Sequence, residues 1–213
     1  MFQLFYFPNN ANLAAHIVLE ELGVPYELVL VDRAAAAHKA PAYLDINPTG
    51  RIPALKDPNL SVTVFESAAI VAHLVDIHGE SPLGVSGAAR ALHGQWLIFL
   101  TSSLQEELMA VIYPHRHGGD DEQACAAVKQ QATARALGFL DVIETHLHGE
   151  GPYFLGDRFS AVDCFFFMLA HWAQGRGLPL AARPAVVRLM RLVAARPAVQ
   201  RAFAGEETTP NVP

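Results

Sequence analysis

The chain has 213 residues, 52% of them hydrophobic and 17% charged, and carries a net charge of −6. That length and apolar share allow one large or two small domains around a sizeable core, and they exclude a disordered chain. The acidic balance, the lack of any Lys/Arg block and the lack of an apolar run near the ~18 residues of a membrane span argue against nucleic acid and membrane as partners.

Residues 2–7 are apolar and aromatic and predict a short buried strand, broken by Pro8-Asn9-Asn10. A helix is expected from about Asn12 to Leu22, where Leu13, Ile17 and Ala14, Val18, Leu22 give i, i+4 apolar pairs; Gly23 and Pro25 stop it. Tyr26 to Val31 predicts a second strand, parallel to the first across a right-handed crossover. Asp32 to Ala42 reads as a loop or weak helix. Ala54 to Lys56 and Ser61 to Val64 predict two short strands around the turn Asp57-Pro58-Asn59, and Glu66 to His78 a helix with Ile70, Leu74 and Ile77 on one face. The order βαβ, loop, ββα is that of a thioredoxin-like domain, here 1–78.

Gly79 to Gly87 is a linker by composition. Beyond it no strand is expected, and 88–213 predicts an all-helical domain. Its helices are Ala88 to Tyr113, closed by Pro114; Glu122 to His148, as its antiparallel partner; and Ser160 to Ala173, buried around Phe165, Phe166, Phe167, Met168 and Leu169. Pro184 to Ala195 and Pro197 to Ala204 follow, each with a proline at its first position. Gly156-Asp157-Arg158-Phe159-Ser160-Ala161-Val162-Asp163 carries Ser-x-x-Asp after an aromatic, a capping box and staple that starts a helix. The tail from Glu206 to Pro213 is polar, proline-broken and expected to be loose.

The N-terminus has no basic region or small-residue cleavage site, so no signal peptide is expected. Cys125 and Cys164 are far apart in helix-like runs, which predicts two buried, reduced thiols and a cytoplasmic location. The histidines are scattered, and His115/His117 and His146/His148 are too close in sequence to share a helix face. No metal site is expected.

The stretch Ile46-Asn47-Pro48-Thr49-Gly50-Arg51-Ile52-Pro53-Ala54-Leu55 cannot hold a regular helix or central strand, and Phe65-Glu66-Ser67 follows it at the head of an apolar helical run. Asn-Pro-x-Gly-x-hydrophobic-Pro-x-Leu with Glu-Ser at this spacing resembles the glutathione-binding signature of the cytosolic glutathione transferases. The capping box resembles that of the family's helical domain, so the resemblance spans nearly the whole chain. It implies a thioredoxin-like domain followed by a helical bundle, a homodimer, and a cis proline at Pro53 that turns the Ile52 backbone toward the bound peptide. It further implies that Glu66 and Ser67 receive the γ-glutamyl end at a helix N-terminus. Arg51 and His38 match positions that contact the peptide or its glycine carboxylate.

The resemblance also implies a thiolate donor between the first strand and first helix. Tyr6 matches the tyrosine position. No Ser or Cys occurs between Met1 and Asn12, so Asn10 stands where a serine is expected and Ala11 where the cysteine of the bacterial beta class would be. The candidate donors are therefore Tyr6, Asn10 and Asn12. An electrophile pocket between the domains would draw on Tyr113 and Arg116, with Trp172. The function implied is conjugation of glutathione to small apolar electrophiles, as in detoxification. A glutathione-dependent disulfide reductase and a non-catalytic binding protein of the same fold are the alternatives.

Overall fold

The computed structural model describes residues 1–213 and divides into two compact units, 1–85 with 195–210 and 86–194 with 211–213. In the first, β1 (Phe2–Tyr6), α1 (Leu13–Leu22) and β2 (Tyr26–Leu30) lead through a 3₁₀ turn at 37–39 and the short α2 (Pro41–Leu44) to β3 (Ala54–Asp57), β4 (Val62–Phe65) and α3 (Ser67–Ile77). The sheet order is β2-β1-β3-β4; β1 and β2 are parallel, and β3 runs antiparallel to both β1 and β4. This is a thioredoxin-like sheet. α1 buries every residue from Leu13 to Leu19, and Gly23 (φ 64) closes it in the left-handed conformation that glycine adopts without a Cβ penalty.

The second unit holds α4 (Gly87–Phe99), a π-helical stretch at 100–105, α5 (Glu106–Ile112), α6 (His115–Gly118), α7 (Glu122–Glu150), α8 (Ala161–Gly175) and α9 (Pro184–Ala194). The single helix expected over 88–113 therefore widens in its middle. Thr101 and Ser102 donate their hydroxyls to the carbonyls of Leu97 and Ile98, both at 2.8 Å, a back-bonding that competes with the regular ladder. The Ser160 box is formed: Asp163 accepts from the Ser160 N–H at 2.7 Å, and the three phenylalanines behind it are fully buried. Burying one such ring contributes about 1.5–3 kcal/mol. Glu144 of α7 accepts from the Ala185 and Val186 N–H groups and so caps α9.

Two expectations fail at the C-terminus. The last helix, α10 (Pro197–Gly205), joins the first unit and not the helical bundle: Ala198, Val199, Ala202 and Phe203 are buried, and it packs on α1. Arg196 and Arg201 pair with Glu21 and Glu20 at 2.5 and 2.6 Å. Nor is the tail loose, because Glu206 is buried within the first unit, while in the second Asn211 donates its N–H to His171 and Arg191 donates to the Pro213 carbonyl. Both cysteines are unpaired; Cys164 is buried, but Cys125 is only half-buried. No helix is long and apolar enough to cross a membrane.

Candidate functional site

Strand register assembles the site. Phe5 pairs with Ala54, and Ala54 with Phe65. Tyr6 and Glu66 follow, and Pro53 precedes, these paired residues; because β3 runs antiparallel to its neighbours, the three sequence signals converge at one end of three adjacent strands.

The Ile52–Pro53 bond is cis. The carbonyl of Arg51, one residue earlier, is clamped by two buried donors, the Tyr43 hydroxyl at 2.7 Å and the Asn47 side-chain amide at 2.8 Å. That carbonyl and the Ile52 N–H belong to one planar trans peptide, so pinning the oxygen inward aims the N–H the opposite way. The Asn47 amide oxygen in turn accepts from the backbone N–H and hydroxyl of Thr49. The Ile52 side chain packs against the cluster of Phe5, Val31, Tyr43 and Ala54. Burial pushes the Tyr43 hydroxyl up to about 12, so it stays a donor. Gly50 has φ 60, and a Cβ there would come within 2.9 Å of the His38 carbonyl and of Lys39 Nζ. Glycine at this point lets the 37–39 turn seat against residue 50.

At the head of α3, Glu66 is exposed and has φ 70 and ψ 118, a sparsely populated conformation for a residue with a side chain. Such backbone costs of order 1–3 kcal/mol and persists where the surroundings impose it. Ser67 begins the helix and is buried, and no side chain caps this N-terminus. Glu66-Ser67 is thus not a capping pair, and the first-turn N–H groups remain suited to an anion.

The β1–α1 loop separates its three candidate donors. Asn12 departs from the sequence reading: it is fully buried, its amide donates to Glu206 at 2.7 Å, and its oxygen accepts from the Phe7 N–H at 3.2 Å. It holds the loop and does not present a donor outward. Tyr6 is half-buried, and burial, then the charges of Glu206 and Glu207, raise its pKa above the ordinary value. Asn10 is half-buried and accepts the Ala11 N–H on its side-chain oxygen at 2.7 Å, so its NH₂ group is the half of the amide that can donate to a ligand.

His38 is half-buried; burial, with Lys39 and Arg33 nearby, lowers its pKa, so it is neutral near pH 7 and Arg51 and Lys39 are the better cations. In the helical unit, the Arg116 guanidinium stacks 4.1 Å over the Tyr113 ring. Trp172 is only 8% exposed on α8, with its indole N–H unpartnered, and is chiefly a core residue. Sequence reasoning missed Tyr43, the role of Asn47 and Glu206. Asn47 lay inside the motif; Tyr43, eight residues before Arg51, carried no pattern.

Residues 1–76 match the family model of the glutathione S-transferase N-terminal domain, and residues 126–204 that of its C-terminal domain. Glutathione S-transferase 3 of Zea mays is 32% identical over 208 residues, covering 92% of this chain and 89% of that one. A glutathione transferase homolog from Sulfitobacter, solved with bound glutathione, superposes with TM-score 0.87 at 27% identity over 96% of this chain and 98% of the other. A family member from Pseudomonas fluorescens, with two glutathione bound, gives 0.83 at 26% identity over 100% and 93%. The chain belongs to the glutathione S-transferase family.

Proposed function

We propose that this protein is a glutathione transferase that binds glutathione through Glu66, Ser67 and the Ile52 backbone and holds its sulfur as thiolate for attack on small apolar electrophiles. The observation that carries the reading is the convergence of Tyr6, Pro53 and Glu66 at one end of β1, β3 and β4, beside a clamped Arg51–Ile52 peptide. Glu66 is the carboxylate for the γ-glutamyl amine, and the α3 N-terminus takes the γ-glutamyl carboxylate. The Ile52 backbone pairs with the cysteinyl residue as a one-residue strand addition. Arg51 and Lys39, with His38 beside them, face the glycine carboxylate.

A free thiol near pKa 8.5 is only a few per cent ionised at neutral pH. Lowering it by two units takes about 2.7 kcal/mol, within reach of one or two donors worth roughly 1.5–3 kcal/mol each to a charged group. Of the loop's donors, the Asn10 amide is the one we assign to the sulfur. The Asn9 and Phe7 N–H groups go to Glu206 and Asn12, and the Ala11 and Leu13 N–H groups to Asn10 itself. Tyr6 stays neutral, its pKa raised first by burial and then by Glu206 and Glu207, and its hydroxyl is the second candidate. Tyr113 and Arg116 supply part of the electrophile site. Leu60 and Val62 near the edge strand β4, and Leu92 and Ile98 of α4, are exposed apolar side chains suited to a homodimer. Unpaired cysteines suit a cytoplasmic setting, and conjugation of apolar electrophiles suits a detoxifying role.

The second reading, a glutathione-dependent disulfide reductase, is favoured by one observation: the Asn10 amide can hold a thiolate in a loop that has no cysteine of its own, which leaves glutathione itself to carry the disulfide exchange. Initial rates with a chloronitrobenzene and with a small disulfide, both with saturating glutathione, decide between them. Faster turnover of the aryl chloride supports the transferase; turnover of the disulfide alone supports the reductase. Glutathione binding with neither rate above background would leave the non-catalytic binding protein.

A further inference from the structure

We infer that Glu206, just past the end of α10, is a positioning residue for the thiolate-holding loop: its buried carboxylate grips the loop on both sides of Asn10 and fixes where the Asn10 amide stands. The inference rests on the reading of Asn10 under Proposed function.

The Glu206 side chain is fully buried and accepts three hydrogen bonds. Oε2 takes the backbone N–H of Asn9 at 3.0 Å, and Oε1 takes the Asn12 amide at 2.7 Å and His16 Nδ1 at 3.0 Å. Asn9 and Asn12 bracket Asn10. Asn9 has φ 56, a conformation that asparagine tolerates but that needs outside support. Asn12 bridges from Glu206 back to the Phe7 N–H, so the exit of β1 and the entry of α1 hang on one carboxylate. No short-range pattern forces this, because Glu206 lies 194 residues from Asn12.

The far side of the carboxylate is also built. His16 is fully buried on α1, and its Nε2 lies 2.9 Å from the Tyr26 hydroxyl, which donates to Glu20. Arg201 of α10 then pairs with Glu20 at 2.6 Å. Gly205 lets the helix end come this close, since a Cβ there would stand 3.2 Å from His16 Cε1. A buried carboxylate is a costly way to fill space unless it is fully paired, and here each partner lies on the loop or on the helix that the loop enters.

A purely structural Glu206 and a positioning Glu206 differ in the sign of one observable. The Glu206 carboxylate touches the loop, and with Glu207 it acts electrostatically on Tyr6. Deleting its charge alone would therefore make a nearby thiolate easier to form. Deleting its grip on the loop would make the thiolate harder to form. The experiment follows the ultraviolet thiolate absorbance of glutathione bound to the full-length protein against pH, in wild type, Glu206→Ala, Glu206→Gln, Asn12→Ala and Asn10→Ala, with calorimetric glutathione affinity and circular dichroism on each. Glu206→Ala is expected to raise the pH of half-ionisation by about one unit, a tenfold change in the ionisation constant, with glutathione affinity changed by less than about twofold, well under 1 kcal/mol. Glu206→Gln, which keeps an acceptor for Asn12 and His16 but presents a donor to Asn9, should rise by less. If Glu206→Ala does not fold, Asn12→Ala cuts one of its two loop ties while leaving Asn9 and His16 on Glu206, and should shift the value in the same direction. An unchanged or lowered half-ionisation pH in the folded variants overturns the inference. Should Asn10→Ala itself leave the value unchanged, the assignment of Asn10 fails first; a rise in Asn10→Ala without one in Glu206→Ala and Asn12→Ala refutes the positioning role alone.

Discussion

Tyr43→Phe removes one of the two donors on the Arg51 carbonyl and nothing else of the side chain's shape. The bond removed is 2.7 Å long and buried, and the Asn47 amide remains at 2.8 Å. A neutral bond of this kind contributes about 0.5–1.5 kcal/mol net. The melting temperature should therefore fall by a few degrees, at about 2–4 °C per kcal/mol for a chain of this size. Glutathione affinity is affected through the Ile52 N–H, which shares a peptide plane with that carbonyl. With one donor left, the free protein holds the competent orientation for a smaller fraction of the time, and the apparent Kd rises by the inverse of that fraction. The full bond energy sets an upper bound near tenfold, and about two- to tenfold is expected. Asn47→Ala removes the second donor and two acceptor contacts to Thr49, and should cost at least as much. The assay is isothermal titration with glutathione beside thermal unfolding of the same samples. If both variants lose stability but bind glutathione with wild-type affinity, the clamp supports the fold only, and the backbone role of Ile52 is wrong.

Glu66→Ala should weaken glutathione binding by roughly 1.5–3 kcal/mol, the worth of a hydrogen bond to a charged group; unchanged calorimetric affinity in both Glu66→Ala and Ser67→Ala would put the site elsewhere. Burial holds His171 down to about 4, where its Nδ1 accepts from the Asn211 N–H. The unfolded chain binds that proton already near pH 6.5, so this group's contribution to stability is whole above that pH and falls by about 3 kcal/mol as pH drops to 4. His171→Gln should flatten that fall in denaturant titrations, and equal slopes for the two proteins would remove His171 as its cause. Sedimentation at micromolar concentration should give twice the 23.1 kDa chain mass, and a stable species at the chain mass itself would contradict the homodimer.

What could be read from the sequence was local. The Asn-Pro-x-Gly-x-Ile-Pro segment and Glu66-Ser67 lie within twenty-one residues, 47–67; their types dictate a turn and a helix start over that range, and the family resemblance implied the cis bond at Pro53. The Ser160 capping box is likewise a four-residue device, and it formed as read. The break between the two units, at 85/86, falls inside the Gly/Pro-rich stretch 79–87. What stayed hidden depends on partners far along the chain. Asn12 reads equally well as an N-cap or a ligand donor until Glu206 arrives to take its amide. Glu206 itself sits in a segment whose composition predicts a loose tail, and only the packing of α10 on α1 buries it. The widened turn at 100–105 depends on hydroxyl back-bonding that apolar periodicity does not register.

The central claim is that bound glutathione is ionised beside the β1–α1 loop. Ultraviolet titration of the wild-type complex tests it most directly. Half-ionisation is predicted about two units below the value near 8.5 of an ordinary thiol, moving up by about one unit in Asn10→Ala. A bound thiol that titrates at its free value in the wild type would contradict it.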